Sequence, residues 1–154
     1  MSLYLLALLI GVVAGLRAMT APAAVSWAAH LGWVPIQNTP LAFLGATVTP
    51  YILTVLAIGE LVTDQLPKTP SRKVPVQFGG RLVTGAVSGA ALGAAAGSMT
   101  GGAVAGLIGA VIGTLGGAGA RVALARAMGR DLPAALIEDV VAIGGAVLIV
   151  ISLA

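Results

Sequence analysis

The 154-residue sequence contains no cysteine and only one histidine, His30. Disulfide bonds, thiolate catalysis and cysteine-based metal sites are therefore excluded, and one histidine cannot form a multi-histidine metal site within a single chain. The sequence also lacks the H-E-x-x-H, G-x-S-x-G, P-loop and dinucleotide-binding motifs. We therefore expect a protein that is not an enzyme and that holds neither a metal nor a cofactor. The alternative that stays open is an intramembrane hydrolase or transferase that uses two carboxylates.

Charged residues are also scarce, at 8% of the sequence, whereas a soluble domain has about 25%. Hydrophobic residues make up 58%, and there are 22 glycines. So few charges cannot cover a surface that faces water. The net charge of +3 is too small to indicate a nucleic-acid binder. The sequence instead predicts one integral membrane domain over residues 1–154, with membrane lipids as its partners.

Four apolar stretches approach the length of about 20 residues that a helix needs to cross a bilayer core of about 30 Å. They are residues 41–66, 82–98, 103–120 and 133–153. The first follows Thr39 and Pro40, which are typical of an N-cap and a first helical position. Residues 3–34 are interrupted at residues 17–22 and form either one broken crossing or two crossings. We predict an all-α transmembrane helix bundle of five to six segments, with six slightly preferred.

The basic residues determine this preference, because lysine and arginine concentrate in cytoplasmic loops. Loop 67–81 holds Lys68, Arg72, Lys73 and Arg81, so we expect it to be cytoplasmic. With six crossings, Arg17 falls on the same side; with five, it lies within the membrane at a cost of about 2.5–3.5 kcal/mol unless it is paired. Six segments would permit an inverted three-plus-three repeat.

Glycines recur at every fourth residue in two segments: Gly85, Gly89, Gly93 and Gly97 in one, and Gly109, Gly113 and Gly117 in the other. Helices in lipid gain little from hydrophobic attraction to each other, so close backbone approach has to hold them together. This spacing predicts tight helix packing within the protomer or between protomers. It also leads us to expect a homo-oligomer. The alternative is a flat surface for a planar ligand or a lipid tail.

Acidic residues lie inside the predicted membrane segments. Glu60 and Asp64 share one helix face, and Glu138 and Asp139 lie within the last segment, all towards the leaflet of Arg81. Arg121 and Arg126 fall in the same leaflet, and ionisable groups at such depth should face the bundle interior and pair. They form either structural ion pairs or a polar cavity that binds a proton, a cation or a substrate.

The interruption after residue 16 is the third notable pattern. Thr20 is a candidate N-cap for a helix that restarts at Ala21 or Pro22. A restarted helix presents free backbone N–H groups and the positive end of its dipole, here beside the Arg17 guanidinium. That combination suits a carboxylate, a phosphate or a lipid headgroup. The alternative is a plain interfacial turn, with Arg17 extending to lipid phosphates.

Two polar motifs resemble those of a family of small bacterial integral membrane proteins known only as a domain of unknown function. They are GLRAMTAP at residues 15–22 and ELVTDQLPKTPSR at residues 60–72, followed by Gly80-Arg81 and Gly85-Ala86. The resemblance covers essentially the whole chain. It implies a polytopic protein of the bacterial cytoplasmic (inner) membrane, and it brings no established activity, cofactor or site residue.

These patterns lead us to expect a small transporter-like or ligand-binding membrane protein. Its ligand would be an anionic or amphipathic small molecule or a lipid. The site would be formed by five residues, namely Arg17, Thr20, Glu60, Asp64 and Arg81. The alternative is a structural assembly protein that oligomerises through its glycine-spaced helices.

Overall fold

The computed structural model describes residues 2–63 and 75–154, and these two ranges contain helices and no β-strand. The predicted all-helical class is therefore confirmed for the described residues. A 3-10 helix covers Ala42–Gly45. The α-helices are α1 (Leu3–Leu16), α2 (Thr20–His30), α3 (Thr49–Thr63), α4 (Pro75–Ala95), α5 (Met99–Met128) and α6 (Asp131–Ile151).

Two of the described helices, α5 and α6, are long and apolar enough to cross a membrane. The apolar helices α1 and α3 have 14 and 15 residues, which gives each a length of about 21–23 Å at about 1.5 Å per residue. Neither length alone matches a bilayer core of about 30 Å. The predicted number of five to six crossings is therefore not confirmed, and two candidate spans are what the structure supports.

Helix α5 lies between α1 and α4, and glycines allow the close approach of all three. Gly11 of α1 lies against Gly106 and Gly15 lies against Gly113, so α1 runs parallel to α5. On α4, Gly85 lies against Gly106 whereas Gly93 lies nearer the start of α5, so α4 is antiparallel to α5. The absence of a side chain at these positions brings the backbones into direct contact.

The structure corrects the predicted start of the segment at residues 41–66. Helix α3 begins at Thr49, because the preceding residues form turns. The Thr39 hydroxyl does not start a helix: it donates to the Ile36 carbonyl at 2.7 Å and accepts from the Leu41 N–H at 3.2 Å. Pro50 then occupies the first turn of α3, where its missing N–H costs no helical hydrogen bond.

The other boundaries also differ from the predicted ones. Helix α4 begins at Pro75, before residue 82, and α5 continues past residue 120 to Met128. The α4–α5 turn contains Gly97 at φ +93°, and the Ser98 hydroxyl then caps α5 by accepting from the Gly101 N–H at 3.0 Å. Gly129 ends α5 at φ +71°, a left-handed conformation that favours glycine.

Candidate functional site

The break between α1 and α2 is where the candidate site forms. Arg17 has an extended backbone, with φ −142° and ψ 110°, so the helix cannot continue through it. The carbonyls of Gly15 and Leu16 and the N–H of Met19 would bond within an unbroken helix. Buried backbone groups of this kind need other partners. In this fold, charged and hydroxyl side chains supply them.

Two arginines donate hydrogen bonds to the backbone carbonyls that the break leaves without helical partners. Arg81 Nη1 of α4 donates to the Gly15 carbonyl at 2.8 Å, and Thr114 Oγ1 of α5 lies 3.5 Å from the same oxygen. Arg17 Nη1 donates to the carbonyl of Leu16 at 2.8 Å. Arg81 is only 4% exposed, so its guanidinium sits inside the bundle. The guanidinium groups of Arg17 and Arg81 therefore lie in the protein interior, where they donate hydrogen bonds to the free carbonyls of the break.

A carboxylate accepts hydrogen bonds from the backbone N–H groups of the break. The Met19 N–H donates to Glu60 Oε2 of α3 at 3.1 Å, and the Ala18 N–H also bonds to this carboxylate. Glu60 therefore caps α2 from another helix. The prediction that Thr20 forms the cap is wrong: α2 begins at Thr20, and Met19 stands in the cap position without a side-chain bond. Thr20 is instead a buried residue of the first turn.

Arg17 is fully buried, with 0% exposure, and its ion-pair partners are on α6. Its Nε donates to Asp139 Oδ1 at 2.6 Å, and its Nη2 contacts the same oxygen. Its Nη1 lies 3.6 Å from Glu138 Oε1. Arg17 therefore does not extend to lipid phosphates. An isolated charge could not be buried in this way, but two carboxylates stabilise the guanidinium.

Alternating charges connect this buried pair to the surface. Arg121 Nη1 of α5 lies 3.6 Å from Glu138 Oε2. Arg121 also forms two hydrogen bonds with Asp131, from Nε at 3.1 Å and from Nη2 at 2.8 Å. Side-chain exposure increases along this row, from 0% at Arg17 and 7% at Glu138 to 17% at Arg121 and 66% at Asp131. The sequence analysis did not predict this row.

Glu60 lies between Arg17 and Arg81, and within residues 2–63 and 75–154 no side chain forms a hydrogen bond with its carboxylate. Arg81 and Arg17 both interact electrostatically with its carboxylate. The second oxygen, Oε1, is buried and has no hydrogen-bond partner among the described residues. Of the five predicted site residues, Arg17, Thr20, Glu60 and Arg81 therefore meet around the break. The fifth, Asp64, lies outside the described residues.

Five of the seven glycines named in the sequence analysis lie against backbone or Cβ atoms of neighbouring elements. On α4, Gly85, Gly89 and Gly93 lie against α5 and its N-terminal cap. On α5, Gly109 and Gly113 lie against α1. Gly97 lies in the α4–α5 turn and not on a helix face. Gly117 is half-buried within α5. The packing that these five glycines allow is therefore inside the protomer.

Within residues 2–63 and 75–154, no three acidic or histidine side chains are grouped so that they could hold a metal ion. Beyond the five predicted site residues, the structure also brings Thr114, Glu138 and Asp139 to the break; the sequence analysis named the two acids but did not include them in the site. The burial cost of Glu138 and Asp139 was the available signal, whereas nothing distinguished Thr114. No family model, curated protein or solved structure matches the chain, and the family resemblance stays a prediction.

Proposed function

We propose that this protein is a small transporter-like, ligand-binding protein of the bacterial inner membrane. Its ligand is an anionic or amphipathic small molecule or a lipid, bound at the helix break. The chain crosses the membrane in six segments, with α1 and α2 as the first two and loop 67–81 in the cytoplasm. The basic residues and the distribution of apolar and charged groups support this arrangement.

The outer surface supports membrane insertion. Large apolar side chains are exposed along three helices: Ile52, Val55 and Ile58 on α3, Ile108 and Ile112 on α5, and Val140, Val141 and Leu148 on α6. A water-soluble monomer rarely exposes large contiguous apolar patches. The charged side chains of Arg17, Arg81, Glu138 and Asp139 are buried between the helices instead. Apolar outside and charged inside is the distribution that lipid favours.

One observation carries the ligand proposal: an anion already occupies the break. The Glu60 carboxylate accepts from the Met19 N–H and interacts electrostatically with Arg81 and Arg17. Backbone N–H groups at a helix start, flanked by guanidinium groups, bind anions in general. The proposal requires Glu60, which belongs to the last turn of α3 and is half-buried, to move away when an external anion takes its place.

Native mass spectrometry tests this proposal with protein released from its own membrane in a mild detergent. We expect the wild-type protein to keep one bound ligand, seen as an added mass in stoichiometric amount. The Arg81→Gln variant should lose this added mass. The matched control is Arg126→Gln, the same exchange at an exposed position of α5, which should keep the adduct. A wild-type protein without any adduct, or equal retention in all three proteins, would contradict the proposal.

The alternative function is assembly through the glycine-spaced helices. The glycines Gly85, Gly89 and Gly93 are already covered by the chain's own α5 and its N-terminal cap, so they do not offer an outer face to a second copy. The homo-oligomer itself stays a prediction. Its test is the mass of the protein in the same native spectra.

A further inference from the structure

We propose that an anionic phospholipid binds on the outer face of α5, with its phosphate at Arg126 and an acyl chain along the apolar side chains of the same face. This site is separate from the helix break. The inference rests on the membrane location in the proposed function, and it does not depend on the ligand of the break.

Helix α5 has one face inside the bundle and an opposite face that no other helix covers. The glycines Gly106, Gly109 and Gly113 face α4 and α1. On the other side, exposed residues at spacings of three and four share one face of the helix. These residues, the outer stripe, are Ile108, Ile112, Leu115, Gly119, Val122 and Arg126. An added Cβ at Gly119 would meet no atom within 4 Å, so the outer stripe is open at this point.

The dimensions of the outer stripe match one leaflet of a bilayer. Leu115 precedes Arg126 by 11 positions, which is about 16 Å along the helix axis at about 1.5 Å per residue. Half of a bilayer core of about 30 Å is about 15 Å. An acyl chain with its head group at Arg126 therefore runs along Val122 and Gly119 and ends near Leu115.

The charge at the end of the outer stripe indicates an anionic head group. Within residues 2–63 and 75–154, the exposed side chains of Arg126 and Arg130 form no hydrogen bond and no ion pair. The acid nearest to them in the chain, Asp131, accepts hydrogen bonds from Arg121 through both carboxylate oxygens. One basic residue near a lipid surface favours anionic lipid about fivefold. Arg126 ends the apolar stripe, and Arg130 adds a second positive charge four positions further on.

The same charge favours a lipid over a second copy of the chain as the occupant. A symmetric contact between two copies through the outer stripe would place one Arg126 against the other. Like charges brought together in this way oppose association. An anionic phospholipid instead supplies a negative group for Arg126 and an apolar chain for the rest of the stripe.

The opposite end of the bundle offers no such site. Helix α6 runs back from Asp131, with Asp139 against Arg17 and Gly145 against Val13. Its last residues therefore lie with the starts of α1 and α5. Residues 2–6, 98–102 and 148–154 contain neither lysine nor arginine. The inference thus restricts the preference for anionic lipid to one leaflet.

The test is tryptophan fluorescence in vesicles, because brominated acyl chains quench a tryptophan that they contact. The two tryptophans of the chain, Trp27 and Trp33, are first replaced by phenylalanine, and Gly119→Trp places the probe on the outer stripe. The vesicles contain one fixed mixture of phosphatidylglycerol and phosphatidylcholine, with bromine on either one lipid or the other. We expect phosphatidylglycerol to bind beside position 119 at least about fivefold more tightly than phosphatidylcholine.

Gly144→Trp is the matched control for position. It makes the same exchange at a glycine of α6 where an added Cβ also meets no atom within 4 Å. Gly144 follows Asp131 by 13 positions, which is about 20 Å along the axis and beyond the middle of the bilayer. The two brominated lipids should quench this probe equally.

Substitution of Arg126 tests the recognition of the head group. Combined with Gly119→Trp, Arg126→Gln should lower the preference for phosphatidylglycerol about fivefold. Arg126→Lys keeps the positive charge and should keep the preference. A preference that persists in Arg126→Gln, or that Arg126→Lys loses to the same extent, would overturn the inference.

The outcomes distinguish this inference from the proposed function. Equal quenching by the two lipids at position 119 contradicts the inference and leaves the proposed function standing. Absence of quenching at both 119 and 144 contradicts the membrane location and therefore both proposals. In native spectra, a phospholipid at Arg126 gives an added mass of its own, which Arg126→Gln removes, whereas Arg81→Gln removes the mass bound at the break.

Discussion

Replacement of Gly85 by alanine tests the helix contacts that hold the candidate site. A Cβ atom at this position would lie 2.7 Å from the Ala110 Cβ and 2.9 Å from the Gly106 carbonyl oxygen. Neither neighbour can rotate away, so α4 and α5 must separate. Overpacking of this kind costs about 1–3 kcal/mol, whereas alanine gains about 0.5–1 kcal/mol in helix propensity. We expect a net loss of about 1–2 kcal/mol.

Gly79→Ala is the matched control. It changes the same residue type in the same helix, where an added Cβ meets no atom within 4 Å. In thermal unfolding followed by circular dichroism in detergent, Gly85→Ala should lower the midpoint by about 2–8 °C. Gly79→Ala should leave it unchanged or slightly higher. Equal midpoints for the two variants would refute the close α4–α5 contact.

Three further predictions concern the side-chain contacts. Arg17→Met should lower the free energy of unfolding by about 3–5 kcal/mol, because it removes the guanidinium from the buried carboxylates of Glu138 and Asp139; adding Asp139→Leu should recover most of this loss in a double-mutant cycle. Asp131→Ala removes the exposed partner of Arg121 and should cost about 1 kcal/mol or less in the same chemical denaturation assay. Trp27→Phe removes the 2.8 Å hydrogen bond to Thr54 and should cost about 1 kcal/mol by the same measurement.

The sequence predicted the helix break but not the groups that complete it. Arg17, Thr20 and Pro22 indicated an interruption, because a charge, a capping residue and a proline lie close together. The partner of Arg17 could not be assigned, since Asp139 is 122 positions away along the chain. Glu60, one of the predicted site residues, bonds to the backbone N–H groups of the break, and the sequence did not predict these partners.

Local chemistry marks both ends of α5, but the predicted segment, residues 103–120, missed them. Ser98 and Gly129 mark the ends of α5 by a cap and a left-handed turn, and both residue types are typical of these roles. The start of α3 was wrong because Thr39 and Pro40 also suit a turn, and hydrogen bonds to residues 36 and 41 selected the turn. Hydropathy alone cannot distinguish these two outcomes.

The most direct test of the anion site is the backbone amide of Met19. The chain has four methionines, so selective ¹⁵N-methionine labelling gives few resonances. Met99 and Met128, at the two ends of α5, serve as internal controls. Addition of octanoate should shift the Met19 resonance and leave the other two in place, because the ligand replaces Glu60 as its hydrogen-bond acceptor. A Met19 resonance that stays unchanged at saturating octanoate would contradict binding at the break.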